Sequence, residues 1–180
     1  MLNRISLDGF FAGPNGEIDW FIPDIEVDKA VHEGGNADTV LLGRVTYELF
    51  ESHWPKVEED LNAPQEARKT ANELTQMTKI VFSQTLKEVT WKNSKLIRRN
   101  ITEEVKKLKQ EKGSGIMIFG SGTIVQQLAA ERLIDDYWFI VTPVILGAGK
   151  SLFTGIKKLD LKLMGAEKFK SGNVVLHYKI

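Results

Sequence analysis

The chain has 180 residues, enough for one domain with a substantial core, and its 42% hydrophobic content is ordinary for a soluble globular protein. Lysine plus arginine and aspartate plus glutamate number 24 each, so no long-range electrostatic field favours a nucleic acid or an anionic membrane surface as partner. The chain has no cysteine, which excludes disulfides and thiolate metal sites, and no apolar run approaches the roughly 20 residues of a membrane span, so we expect a cytoplasmic protein.

The first 34 residues predict a strand, a loop and a helix. A short apolar stretch, residues 2–7, reads as a strand, and the glycine-rich segment 9–16 that follows it reads as a mobile loop. Residues 24–34 carry apolar side chains at near-helical spacing, with acidic residues in the first turn, and predict a helix.

The middle of the chain alternates apolar strands with helices. The predicted elements are, in order, strand 39–42, helix 44 to about 50, helix 63–74, strand 79–82, short strands 89–91 and 96–97, helix 101–111 introduced by Thr102, strand 116–119, helix 124–131 and strand 137–141. This alternation predicts a largely parallel sheet. Residues 143–149 form a turn-rich link, and residues 159–169 with 173–180 predict an antiparallel hairpin about Ser171-Gly172. No low-complexity linker is visible, so we predict a single domain over residues 1–180.

Two of the strand-to-helix turns carry glycine, Gly43-Arg44-Val45-Thr46 and Gly120-Ser121-Gly122-Thr123. The free backbone N–H groups at such a helix start, with the positive end of the helix dipole behind them, bind phosphate without a cationic side chain. Two such turns in one short chain suggest a ligand with a divided anionic group, and a dinucleotide pyrophosphate is the commonest ligand of that kind. We therefore expect both turns to meet at one coenzyme.

The first turn has two interpretations. In the functional one, Gly43 lets the backbone approach a ligand, Arg44 grips phosphate bidentately, and Thr46 adds a hydroxyl, all on the adenosine side of a nucleotide. In the alternative, the turn only connects a strand to a helix, Arg44 pairs with a surface carboxylate and Thr46 is a cap.

The second turn and Ser83 also have two interpretations each. Gly120 and Gly122 flank Ser121 and leave room for a pyrophosphate, or else they form a tight packing turn. The turn lacks the third glycine of the Rossmann fingerprint and the lysine of a P-loop, so it indicates neither fold. Ser83 follows a predicted strand end, where α/β sheets bind ligands, and either contacts a further phosphate or is an ordinary turn serine.

Candidate substrate residues lie outside these turns. Asp8 ends the first predicted strand, Asp19 and Trp20 follow the loop, and Phe119 directly precedes the second glycine turn. Trp20 is equally plausible as a core aromatic. The three histidines have no partner at metal-ligand spacing, so we expect no metal site, and the absence of a Gly-x-Ser-x-Gly elbow argues against a serine hydrolase.

Six motifs in chain order resemble the dihydrofolate reductase-like superfamily. They are Ser6-Leu7-Asp8-Gly9, Gly16-Glu17-Ile18-Asp19-Trp20, Leu42-Gly43-Arg44-x-Thr46-Tyr47-Glu48, Val81-Phe82-Ser83, Gly120-Ser121-Gly122-Thr123, and Thr142-Pro143-Val144-Ile145-Leu146-Gly147-Ala148-Gly149. The branch that these motifs resemble most is the reductase domain of bacterial riboflavin biosynthesis and its small stand-alone relatives. The resemblance spans nearly the whole chain.

This resemblance implies a three-layer α/β/α fold with a central, mostly parallel sheet, a closing antiparallel hairpin, NADPH across the strand ends, and a homodimer. By position, Gly43, Arg44 and Thr46 would hold phosphate near the adenosine, and Ser83 would help select the 2′-phosphate. Arg44 with Ser83 favours NADP over NAD, because a free 2′-phosphate needs a cation and hydroxyl donors. The remaining assignments are a pyrophosphate cradle of Gly120, Ser121, Gly122, Thr123 and Ile124, Trp20 near the nicotinamide, and Asp8, Asp19 and Phe119 at the substrate.

Three functions are compatible with these observations. The first is an NADPH-dependent reductase that transfers hydride to a small heterocyclic (pterin- or pyrimidine-like) or carbonyl substrate, with segment 9–16 as a lid. The second is a non-catalytic nucleotide-binding homodimer of the same fold, with the substrate cleft filled by aromatic side chains. The third is a structural dimer in which the glycine turns only pack. The sequence identifies no catalytic residue, which does not exclude a reductase, because hydride transfer needs little acid–base equipment from the protein.

Overall fold

The computed structural model describes residues 1–33 and 36–180, except for the side chain of Glu33. The chain forms two compact units, one of Met1–Asn36 with Gly122–Ile180 and the other of Ala37–Ser121, called here the outer and the central unit because of their place along the chain. A single domain over residues 1–180 stays a prediction.

The secondary structure is mixed α/β, as predicted. The elements are β1 Leu2–Ser6, β2 Phe10–Ala12, α1 Ile25–Glu33, β3 Thr39–Gly43, α2 Arg44–Glu59, α3 Gln65–Gln76, β4 Thr78–Phe82, β5 Ser94–Ile97, α4 Ile101–Leu108, β6 Ile116–Ile118, α5 Gly122–Ala130, β7 Asp136–Thr142, β8 Lys150–Ser151, β9 Lys162–Lys168 and β10 Val174–Lys179. In the described part of the chain, no helix has the length and apolar character needed to cross a bilayer.

The central unit contains a four-stranded sheet in the order β5-β4-β3-β6, and every pairing in it is parallel. Its two inner strands, β3 and β4, are mostly apolar because both faces are covered: Val40, Leu42 and Val81 are at most 1% exposed. They pack with Tyr47 and Trp91 in one core cluster. The parallel pairing brings the carboxyl ends of all four strands to one edge, which is where sheets of this kind bind ligands.

The outer unit contains a mixed sheet in the order β1-β7-β10-β9. β1 pairs with β7 in parallel, whereas β10 is antiparallel to both β7 and β9. The antiparallel hairpin predicted about Ser171-Gly172 is therefore confirmed, and Gly172 has the positive φ of 87° that its turn requires. Val27 of α1 packs with Ile140 and Val175 in the core of this unit.

Two short strands were missed in the sequence. β2 lies inside the segment predicted as a loop, and β8 lies just beyond the predicted turn-rich link; the two pair antiparallel in a separate two-stranded sheet. Gly149 allows this pairing, since a Cβ atom there would lie 2.5 Å from the Ala12 carbonyl oxygen. Strands of two or three residues are too short to show a period-2 pattern.

The predicted strand 89–91 is wrong. The backbone N–H groups of Thr90 and Trp91 both donate to the Tyr47 hydroxyl, at 3.0 Å each, instead of to a neighbouring strand. Val-Thr-Trp favours a strand by composition, but here Trp91 is a core residue and is only 6% exposed.

Several helix boundaries also differ from the predictions: α4 ends at Leu108 and not at residue 111, and α5 begins at Gly122 and not at residue 124. α2 continues to Glu59, through Pro55, although a proline removes one helix hydrogen bond. Contacts with α3 support this extension: the Glu58 carboxylate accepts from Asn72 Nδ2 at 3.0 Å and from the Thr75 hydroxyl at 2.7 Å. The N-cap of α4 is Asn100, whose side chain accepts from the Thr102 N–H at 2.9 Å, so Thr102 lies inside the helix.

Tyr137 of β7 gives a prediction about stability. Its side chain is fully buried, its hydroxyl has no hydrogen-bond partner among the described residues, and burial raises its pKa to about 12, so the phenol stays neutral. An unpaired buried hydroxyl costs about 1–3 kcal/mol, so Tyr137→Phe should raise the free energy of unfolding by about 1 kcal/mol. Urea unfolding with an unchanged m-value checks this; a loss of stability would show that the hydroxyl has a partner in solution.

Candidate functional site

The two glycine turns are in direct contact in the central unit. The Gly43 N–H donates to the Ser121 hydroxyl oxygen at 2.9 Å, so the residue before α2 is bonded to the residue before α5. The Ser121 N–H in turn donates to Thr46 Oγ1 at 3.2 Å, and the two hydroxyl oxygens lie 3.2 Å apart. This contact follows from the sheet, because β3 and β6 are parallel neighbours whose carboxyl ends lie side by side.

The second turn has an unusual backbone. Gly120 has φ 52° and Ser121 has φ 49°, and the left-handed conformation costs a non-glycine residue about 1 kcal/mol or more. The bonds from Ser121 to Gly43 and Thr46 hold this conformation. At Gly120 a Cβ atom would lie 3.2 Å from the Thr46 hydroxyl oxygen, so a side chain there would press on the same network.

No described side chain caps the start of α2. Its N-cap, Gly43, provides no side-chain cap, and the first turn contains no acidic residue. Two helices elsewhere differ: α1 begins with Asp24 Oδ1 accepting from two backbone N–H groups, and α4 has both the Asn100 cap and acidic residues in its first turn. The first-turn N–H groups of α2 and the positive end of its dipole therefore remain for an external anion.

Arg44 is half-exposed and is paired with Glu48 one turn along α2. Arg44 Nη1 lies 2.9 Å from Glu48 Oε2 and 3.3 Å from Oε1. This is the surface-carboxylate pairing that the sequence offered as the alternative. Thr46 differs from the alternative, since its hydroxyl accepts from Ser121 of the second turn.

Ser83 lies directly after β4, at the same edge of the sheet. Its N–H donates to the Ile97 carbonyl at 3.2 Å, and its hydroxyl oxygen accepts from the N–H groups of Thr85 at 3.2 Å and Leu86 at 2.9 Å. Both of these side-chain bonds use Ser83 Oγ as an acceptor. The hydroxyl proton therefore remains available to a phosphate oxygen.

Gly122, the first residue of α5, is closely packed against Phe11 within the outer unit. A Cβ atom at Gly122 would lie 2.5 Å from Phe11 Cζ, far inside van der Waals contact. The next residue, Thr123, is exposed, whereas Ile124 is 2% exposed and belongs to the core. Two residues of the expected pyrophosphate cradle therefore need a different account. Packing against Phe11 is enough to explain the glycine at position 122, and Ile124 can contact a ligand only through its backbone.

The candidate substrate residues Asp8, Asp19 and Trp20 lie in the outer unit. Asp8 accepts from the backbone N–H groups of Leu146 at 3.2 Å and Gly147 at 2.8 Å. A hydrogen bond from Ser6, together with these two, holds the pKa of the Asp8 carboxyl below its usual range. Asp8 is therefore an ionised group that ties the end of β1 to the 143–149 link.

Trp20 belongs to a hydrogen-bonded turn. Its Nε1 donates to the Glu17 carbonyl at 3.1 Å, and its ring meets Phe21 edge-on, with the centroids 4.6 Å apart. The Glu17 carboxylate accepts from the N–H and the side-chain amide of Asn15. Asp19 is exposed.

Phe119, the last candidate substrate residue, lies in the central unit and is half-buried. Its ring lies 6.0 Å from that of Phe50, centroid to centroid, and it packs against the core cluster that contains Tyr47 and Trp91. Within the central unit, Phe119 therefore contributes to the core.

Two features of this region were not singled out in the sequence. Glu48 belongs to one of the six motifs but was given no role, although its i,i+4 spacing from Arg44 is a recognisable signal for an ion pair. Arg98, directly after β5, donates to the carbonyl oxygens of Gln84, Leu86 and Lys87, at 2.6–3.3 Å. No sequence pattern indicates that bonding. Among the described residues, no group of three or more His, Cys, Asp or Glu side chains is arranged to hold a metal ion.

Comparison with known proteins gives consistent matches over the full chain. The family model described as the RibD C-terminal domain matches residues 1–175. The chain is 34% identical over 177 residues to the uncharacterized protein YyaP of Bacillus subtilis (strain 168), covering 97% of this chain and 90% of that protein.

Two solved structures share the fold. The Enterococcus faecalis dihydrofolate reductase complexed with NADP(H) and RAB-propyl matches with a TM-score of 0.63 at 15% identity, covering 99% of this chain and 93% of the enzyme. The Thermotoga maritima diaminohydroxyphosphoribosylaminopyrimidine deaminase/5-amino-6-(5-phosphoribosylamino)uracil reductase matches with a TM-score of 0.66 at 16% identity, covering 99% of this chain and 55% of that protein. The dihydrofolate reductase-like α/β fold predicted from the sequence is confirmed.

Proposed function

The chain belongs to the RibD C-terminal domain family, and from that membership we propose that it is an NADPH-dependent reductase. Its substrate in this proposal is a small heterocycle of the pterin or pyrimidine type, or a small carbonyl compound. The observation that carries the proposal is the hydrogen bond between Gly43 and Ser121, which joins the two glycine turns at the carboxyl edge of the parallel sheet.

The residues at this edge fit the adenosine and phosphate portions of such a cofactor. The start of α2 has neither a side-chain cap nor a first-turn acid, so its backbone N–H groups can accept a phosphate without displacing a capping side chain. Arg44 is half-exposed and Ser83 keeps a hydroxyl proton, and a 2′-phosphate needs a cation and hydroxyl donors of this kind. The backbone N–H groups of Gly43 and Ser121 already donate within the protein, so the donors proposed for phosphate are the first-turn N–H groups of α2 and the other N–H groups of the second turn.

The chemistry divides between cofactor and protein. When bound, NADPH supplies the hydride, and the protein contributes binding, orientation and exclusion of water. In the proposal, Arg44 and Ser83 hold the adenosine end, the second glycine turn approaches the pyrophosphate, and Trp20, Asp8, Asp19 and Phe119 belong to the nicotinamide and substrate end.

The proposal also includes a homodimer in the cytoplasm, acting on a small molecule and not on a nucleic acid or a membrane. The second candidate, a non-catalytic nucleotide-binding homodimer, is favoured by one observation: Phe119 packs against Phe50 and the core of the central unit. A substrate screen with bound NADPH separates the two, because only the reductase oxidises the cofactor.

Arg44→Ala tests the proposed site. Hydrogen bonds to a charged group contribute about 1.5–3 kcal/mol, so the variant should bind NADPH about 10- to 100-fold more weakly and NADH nearly as well as the wild type. Titrations of both cofactors, followed by nicotinamide fluorescence, give the two dissociation constants.

Lys56→Ala is the matched control. It removes the same charge from the last turn of α2, about 18 Å along the helix from Arg44, and should leave both affinities unchanged. Equal losses for NADPH and NADH in Arg44→Ala would refute the 2′-phosphate assignment. A wild-type protein that binds neither cofactor would refute the reductase and favour a structural dimer.

A further inference from the structure

The ion pair between Arg44 and Glu48 lies at the helix start where the adenosine end of the cofactor is proposed to bind. Both contacts, at 2.9 and 3.3 Å, use the single nitrogen Nη1 of Arg44. A guanidinium has five N–H donors, so this pairing leaves donors for a second anion. The side chains are 47% and 44% exposed, so both groups are open to a ligand from solvent.

The pair is too weak to be explained as a stabilising device alone. An exposed i,i+4 ion pair stabilises a helix only slightly, because water screens the two charges. Its orientation is also unfavourable for the helix, because Arg44 carries a positive charge in the first turn, where the dipole favours anions. A cation at this position suits an external phosphate better than it suits the helix.

The two side chains prefer different forms of the nicotinamide cofactor. A 2′-phosphate carries a charge of about −1.5 to −2 at neutral pH, is attracted by Arg44 and is repelled by the Glu48 carboxylate. A free ribose 2′-hydroxyl has no charge and donates a hydrogen bond to a carboxylate, which is how acidic residues select NAD in other dinucleotide sites.

We propose that Glu48 determines cofactor choice at this site, so that the Arg44–Glu48 pair admits both NADPH and NADH. Arg44 serves the 2′-phosphate of NADPH and Glu48 serves the 2′-hydroxyl of NADH. This inference rests on the proposed function, since it requires a nicotinamide cofactor at the carboxyl edge of the sheet.

Glu48→Gln tests the inference, because it removes the charge and keeps the shape. Two unit charges about 4 Å apart in water interact by about 1 kcal/mol, which is about fivefold in affinity. The variant should therefore bind NADPH about fivefold more tightly and NADH more weakly than the wild type. Calorimetric titration should show that the variant binds adenosine 2′,5′-bisphosphate more tightly and AMP more weakly than the wild type. These ligands lack the nicotinamide, so such a result places the effect at the adenosine end.

The matched control is Glu59→Gln, the same change at an exposed position at the far end of α2, which should alter neither affinity. An unchanged NADPH to NADH ratio in Glu48→Gln, with NADPH still bound and still weakened by Arg44→Ala, overturns the inference and leaves the reductase proposal intact. Equal changes for both cofactors overturn it as well, since they indicate an effect on the helix alone. Failure of the wild type to bind either cofactor overturns both proposals.

Discussion

Lys79→Met is expected to lower the free energy of unfolding at pH 7 by about 1–3 kcal/mol. Lys79 lies on β4 with no exposed surface, and its ammonium donates to the carbonyl oxygens of Leu74 at 2.7 Å, Met77 at 2.9 Å and Thr75 at 3.0 Å. These carbonyls belong to the end of α3, where the last carbonyl groups have no partner within the helix. Methionine fills the volume but removes this donor from the carbonyl oxygens of Leu74 and Met77, whereas the Thr75 carbonyl still accepts from Asn93 Nδ2 at 3.2 Å.

The ring of Trp91 adds to the same interaction. Its centroid lies 4.4 Å from Lys79 Nζ, within the range of a cation–π contact, and the ring is itself part of the core. The loss in Lys79→Met thus combines unpaired carbonyls with a lost contact between charge and ring. Chemical unfolding followed by Trp fluorescence measures it. Lys95→Met, the same replacement at an exposed position on the neighbouring strand β5, should change stability by less than about 0.5 kcal/mol.

The pH dependence of stability provides an independent readout for Lys79. Burial lowers the pKa of its ammonium from 10.5 to about 8. Between these values the unfolded chain binds the proton and the folded chain does not, so the contribution of this group to stability rises with pH. From pH 8 to pH 10 the wild type should gain roughly 2 kcal/mol relative to Lys79→Met. Parallel pH profiles for the two proteins, or a loss below 1 kcal/mol at pH 7, would contradict this account of Lys79.

The elements that the sequence predicted well are those whose own residues carry the signal. β3, β4 and β7 each contain a run of three or more apolar residues, and such runs are recognisable without knowing their partners. The closing hairpin was recognisable because Gly172 provides the positive φ of its turn.

The elements that were wrong depend on residues far away in the sequence. β2 and β8 pair across about 140 residues, and neither is long enough to show a pattern of its own. Residues 90 and 91 lose their strand character to the Tyr47 hydroxyl, more than 40 residues earlier. Local propensity contains no information about such partners.

The candidate site divides in the same way. Strand-to-helix logic predicted that the two glycine turns serve one place, and β3 and β6 are indeed neighbours. The partner of each hydrogen bond was not predictable, because it depends on where the side chains point. The hydroxyls of Ser121 and Thr46 accept from the N–H groups of Gly43 and Ser121, which were expected to bind phosphate, and the two hydroxyls also contact each other. Likewise, the ion pair between Glu48 and Arg44 occupies one nitrogen of the guanidinium that was expected to bind phosphate.

Gly122→Val is expected to lower the free energy of unfolding by about 3 kcal/mol and to weaken NADPH and NADH together. A Cβ atom at this position meets Phe11 Cζ at 2.5 Å and Cε1 at 2.7 Å, and the two further carbons of valine deepen the collision. Either the ring of Phe11 or the start of α5 must move. Because α5 begins at Gly122, inside the second glycine turn, such a movement disturbs the proposed pyrophosphate cradle without any contact between valine and ligand.

The double variant Phe11→Ala with Gly122→Val separates packing from cofactor contact. Removing the ring makes room for valine, so residues in direct contact should show a coupling energy of about 1–3 kcal/mol between the two changes. If the only role of Gly122 is to make room for Phe11, the double variant should bind both cofactors nearly as tightly as Phe11→Ala alone. Its affinity for both should then be well above that of Gly122→Val. Recovery of stability without recovery of affinity would show instead that the Gly122 backbone itself approaches the pyrophosphate, as glycine does where a ligand comes close to the main chain. Unchanged binding in Gly122→Val would remove the second turn from the cofactor site, since a displaced α5 start would then have no effect on the ligand.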